Sequence, residues 1–159
     1  MPPIVPNPFA ANYYQIVQTP DHVMIFAELL HDARIIRLNA NHAPATVHPW
    51  LGDSVGRWEG NTLVVETTNF SSKTGWKGSS SGMRVTERFA RTDAKTIDYR
   101  VTVEDPDTWS RPWTAAIPFK ATDQRMFEYA CHEGNHALAN ILRGARVEEQ
   151  LKAATPYEG

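Results

Sequence analysis

The run GRWEGNTLVVETTNF, residues 56–70, constrains this chain more than any other, because two β-forming stretches flank Gly60-Asn61. Both turn residues tolerate positive φ, so the pair suits a tight hairpin. The same strand-and-turn rhythm extends along most of the chain. Runs 13–19, 22–30 and 33–38 are rich in β-formers, with Pro20-Asp21 marking a turn after the first. Runs 83–92 and 95–104 pair around Asp93-Ala94-Lys95, and 109–119 and 125–131 pair around Thr122-Asp123-Gln124. That spacing is expected of a sandwich or barrel with about eight strands. The one convincing helical pattern is C-terminal, where Leu138, Ile141, Leu142 and Ala145 share a face. The expected fold is therefore all-β: an antiparallel meander closed into a lipocalin-like barrel or a curled sheet, with one C-terminal helix. Closure is favoured because it removes exposed strand edges.

Residues 1–12 read as an extended proline-rich arm, 13–152 as one β-barrel-like domain with its helix, and 153–159 as a tail. A length of 159 residues suits one substantial core. The net charge of −2 offers no basic footprint for nucleic acid. No apolar run is long enough to span a membrane, since the longest, 23–30, is broken by Glu28. The start, MPPIVPNPF, has neither a basic n-region nor a long apolar h-region, so no signal peptide is expected in this chain. Cys131 is the single cysteine, which rules out an internal disulfide and a cysteine-cluster metal site. It reads as a small buried hydrophobe.

Alternation along the strands picks out the chemistry. Glu87 shares a face with Met83, Val85 and Phe89; Glu28 with Met24, Phe26 and Leu30; Glu66 with Val64, Thr68 and Phe70. In 109–119, Arg111 falls between Trp109 and Trp113. Glu28, Glu66, Glu87 and Arg111 are thus expected to face inward. A buried charge needs a partner, so one reading is a structural Glu–Arg network at a barrel mouth. The other is a pocket in which a carboxylate of raised pKa serves as general acid or base. His31 and His132, at strand ends, are the histidines best placed to join such a mouth. In HEGNH, residues 132–136, Gly134-Asn135 interrupts the helical register a His132/His136 metal pair would need, with Asn135 as a plausible N-cap. No metal site and no cofactor are expected. Trp50, Trp58, Trp76, Tyr99, Trp109 and Trp113 are the candidate ligand contacts, with loops 39–50 and 71–82 at the mouth.

The runs QIVQTPDHV, HDARIIRLNANH, HPWLGDSVGRWEGNTLVVETTNF, VTERFAR, VEDPDTWSRPWT and EYACHEGNHALANIL resemble an uncharacterised bacterial family common in soil and environmental genomes. The likeness extends from Tyr14 to Glu149. Family members are usually longer and exported, so the resemblance implies a periplasmic or secreted origin. It carries no reaction. His31, Arg34, Trp50, Arg57, Trp58, Glu66, Glu87, Arg88, Trp113, His132, Glu133 and Asn135 lie inside the shared runs, and Glu28 lies between the first two of them, within the likeness as a whole. Many relatives have a histidine where this chain has Arg84. A ligand role there could not carry over.

Three functions remain open on these readings. The first is a barrel binding a small apolar or aromatic molecule. The second is a hydrolase, lyase or isomerase using a Glu/His acid–base pair with an arginine orienter. The third is a structural or interaction module. A homodimer, with the proline-rich arm embracing a partner subunit, also stays open.

Overall fold

The hairpin around Gly60-Asn61 forms where its residues predict, and it anchors the middle of one eight-stranded sheet. The computed structural model describes residues 4, 12–73, 75–130 and 133–154. Strand β4 (Asp53–Glu59) meets β5 (Thr62–Thr68) with Glu59 opposite Thr62. Gly60, with φ +60°, takes the left-handed backbone at the first central position, where a type II′ turn wants glycine. Around this pair the strands follow chain order: β1 (Tyr14–Gln18), β2 (His22–Ala27), β3 (Ala33–Leu38), then β6 (Arg84–Asp93), β7 (Thr96–Glu104) and β8 (Trp113–Lys120). The sheet curls into a half-barrel, with β1 and β8 as the two ends of the order.

Every pairing is antiparallel except one. β3 and β4 run parallel, Ile36 opposite Ser54 and Leu38 opposite Gly56, which corrects the expectation of a purely antiparallel meander. A parallel step needs a crossover rather than a tight turn, and the proline-rich segment 39–52 provides it. The two strands approach closely because Gly56 has no side chain. A Cβ there would lie 2.8 Å from Ile36 Cγ2.

Two strand boundaries and one whole strand differ from the sequence expectation. β2 stops at Ala27, because Leu30 (φ 61°) and His31 (φ 53°) turn the chain through a 3-10 segment, Leu29–His31. β8 starts at Trp113 rather than 109: the amides of Thr108 and Trp109 bond back to the Asp105 carbonyl, and Pro112 has no N–H for a ladder. Residues 125–130 form no strand. β8 is an end strand carrying Pro118, and a proline with no N–H blunts an edge against further pairing.

The core lies on the concave face. Val23 and Ile25 of β2, Ile36 of β3, Leu63 and Val65 of β5, Val85 of β6 and Val101 and Val103 of β7 pack there with Phe70 and Met83. Ile4 joins them, and its amide donates to the Tyr99 hydroxyl at 3.0 Å.

The chain divides into two compact units, Met1–Glu128 with the sheet and Tyr129–Gly159 with helix α1 (Ala137–Ala154). Asn135 Oδ1 accepts the Ala137 amide at 3.0 Å, and the His136 carbonyl accepts Asn140. The helix therefore begins one residue later than an Asn135 N-cap would place it. No helix among the described residues is long and apolar enough to cross a membrane.

Candidate functional site

The inward alternation of ERFAR, residues 87–91, places Glu87, Phe89 and Arg91 on the concave face of β6. Glu87 is fully buried. Its carboxylate takes Arg34 from β3, with Nη1 on Oε2 and Nη2 on Oε1 at 3.1 Å, and accepts the Tyr99 hydroxyl from β7 at 2.8 Å. β3 and β6 are not neighbours in the sheet, so this ion pair is a chord across the half-barrel. Burial, and then the negative charge of Glu87 beside it, push the Tyr99 phenol far above its ordinary pKa. Tyr99 is thus a fixed donor to Glu87 and a fixed acceptor for Ile4. Phe89 and Phe119 pack on the same ring, with centroids 4.9 and 4.8 Å from it.

Two cavities open on this face. The smaller, about 290 Å³, is walled by Val23, Ile25, Leu63, Phe89 and Ile97, with Trp58 and Asn61 from the β4–β5 hairpin also lining it. The larger, about 740 Å³, lies between the β1 end and the β8 end of the sheet, lined by residues such as Tyr14, Ile117 and Phe119. Ile16, Arg91 and Ile97 line both. Glu87, Arg34 and Tyr99 line neither. Their polar atoms face one another.

The residues expected to gather at a mouth do not gather. Glu66 points outward on β5, where Arg57 (2.9 Å) and Arg84 (3.6 Å) hold it, so its inward assignment is corrected. Three consecutive apolar residues, Leu63, Val64 and Val65, are all buried, and that removed the alternation that would have set the phase. Arg111 is exposed in the turn before β8 rather than inward between tryptophans. Glu28 is buried just past β2, and its Oε1 lies 3.4 Å from the Phe127 amide. His31 is exposed, its ring 6.4 Å from Phe26. His132 and Cys131 lie outside the described residues.

The tryptophans split into groups. Trp58 lines the smaller cavity. Trp50 is exposed in the crossover. Trp76, Trp109 and Trp113 form their own cluster, with centroids 5.8 to 6.3 Å apart, packed against the core. Loop 71–82 is tied down beside them: Asp105 accepts the Ser80 amide at 2.6 Å and its hydroxyl at 2.8 Å. The two proposed mouth loops are therefore tied down at different places, since loop 39–50 is pinned by Asp53. That carboxylate accepts the Ala43 amide, His42 Nδ1 and Arg37, at 2.7 to 2.9 Å. Burial would raise its pKa, but the Ala43 amide, His42 and Arg37 together hold it below the ordinary value.

Arg34 and Arg91 are the inward cations that face-by-face reading could have found. Arg34 alternates with Ile36 and Leu38, and Arg91 with Glu87 and Phe89. Among the described residues no group of three or more His, Cys, Asp or Glu could hold a metal ion. No family model, curated protein or solved structure matches the chain.

Proposed function

We propose that this protein binds a small apolar or aromatic molecule on the concave face of its half-barrel. The reading rests above all on the smaller cavity: an apolar wall of Val23, Ile25, Leu63, Phe89 and Ile97, with Trp58, Asn61, Gln18 and Arg91 as the few convergent polar or amphipathic groups. That mixture of apolar lining and sparse polar orienters is typical of small-molecule sites. The Glu87–Arg34–Tyr99 network serves as the floor of the face and holds the curl. An acid–base role for Glu87 gains no support from a carboxylate whose two oxygens are both occupied. A periplasmic or secreted setting goes with this reading through the exported bacterial family that the chain resembles.

The test is a titration with 1-aminoanthracene, a neutral aromatic probe, followed by its own emission and by quenching of Trp58. The wild type should bind one equivalent saturably. Ile16→Trp places bulk where both cavities meet, at a half-exposed position that folding tolerates, and should weaken binding by about tenfold or more. Absence of saturable binding by the folded wild type overturns the proposal.

A further inference from the structure

Both cavities share one cation, and it stands out among the arginines of the sheet. Arg34, Arg37, Arg57, Arg84, Arg88 and Arg100 each have a carboxylate partner. Among the described residues Arg91 has no such ion pair, yet it lines the smaller cavity and the larger one alike. Lys95 and Lys120 line the larger cavity with it, while no aspartate or glutamate lines either. Asp93 lies close by, but its carboxylate accepts the Lys95 amide at 2.7 Å and also takes a hydrogen bond from Thr96. Lys120 Nζ donates to Thr96 Oγ1 at 2.8 Å, so that among the described residues Arg91 and Lys95 are the cations of this rim whose side chains have no such partner.

We infer that the molecule taken up here is an amphipathic monoanion, its apolar body in the smaller cavity and its carboxylate or sulfonate on Arg91. The inference rests on the cavity proposed above and adds the class of ligand. The physical reason is complementarity: an apolar wall selects the body, and an unpaired guanidinium offers a forked donor pair to an oxyanion head. A neutral molecule of the same shape would leave that guanidinium with water only.

Competition against bound 1-aminoanthracene distinguishes the cases. Decanoate and 1-decanol share a chain and differ in the charge of the head group. Decanoate should displace the probe at about tenfold lower concentration than decanol in the wild type. Arg91→Gln should erase that preference, so that decanoate and decanol displace the probe from the variant at the same concentration, and Lys95→Gln should reduce the preference by less. Arg91 is exposed, so the variant should fold, and its unfolding midpoint is measured alongside. Equal displacement by the two molecules in the wild type, or a preference that survives Arg91→Gln, overturns the inference and leaves the cavity proposal standing. If neither the probe nor decanoate, the latter titrated directly by calorimetry, binds the folded wild type, both fail together.

Discussion

Glu66 and Glu87 sit on adjacent strands, with Glu66 opposite Thr86, yet they occupy opposite physical worlds. Glu87 is withdrawn from water, and each oxygen is assigned to a named donor. Glu66 lies on the convex face in a ladder of arginines and glutamates, with Arg57 bridging it to Glu59 and Glu59 reaching Arg88 at 2.7 Å. The concave pair carries the fold because desolvated charges cannot be left alone. The convex ladder is solvated and exchangeable. A one-residue change of strand phase separates the two, so the phase of each strand decides which charges matter.

The largest expected effect is on the concave side. Glu87→Ala strands Arg34 in the core and should destabilise the protein by about 3–5 kcal/mol in urea unfolding. Combining Arg34→Met with Glu87→Leu should recover much of that loss; a double variant as unstable as the single would show that the network contributes more than cancelled charge. Tyr99→Phe comes next, at about 1–3 kcal/mol, since it leaves Glu87 short of a donor and the Ile4 amide without its acceptor.

Asp53 lies between the extremes, on the outer side but pinning the crossover. Its folded-state pKa is depressed, so its contribution is complete above the unfolded carboxylate value of about 4 and is lost as pH falls through the lower folded value. Asp53→Asn should therefore lower stability at neutral pH and flatten the acid limb of the stability curve. An unchanged limb would mean that the crossover is held by other contacts. The smallest effect belongs to Glu66→Gln, no more than about a quarter of the Glu87→Ala loss and suppressed further by salt. A loss that persists in high salt would place Glu66 with Glu87 and dissolve the contrast.

Much of this was legible in the residues, and the failures have physical causes. The Gly60-Asn61 and Asp93-Lys95 turns are local events written in turn chemistry, and both strand pairs form around them. Alternation in 83–92 places Glu87 inward because it shares its side of the strand with Met83, Val85 and Phe89. In β5 the apolar triplet hid the phase, so Glu66 was misplaced. Arg111 was misplaced by carrying strand periodicity back through Pro112, where no ladder can continue. The parallel β3–β4 step has no local signal, since it depends on where a crossover returns the chain. The Arg34–Glu87 chord joins residues fifty-three apart, and only the curl of the sheet brings them together.

On the proposed function, ligand engages the concave face and leaves the convex one alone. Methyl-resolved NMR of the protein titrated with 1-aminoanthracene tests it directly. The methyl signals of Ile16, Ile25, Leu63 and Ile97 should shift together to one saturating value, while those of Ile35 and Val55, on the opposite face, stay in place. Shifts confined to Ile35 and Val55, or no shifts at all, would contradict it.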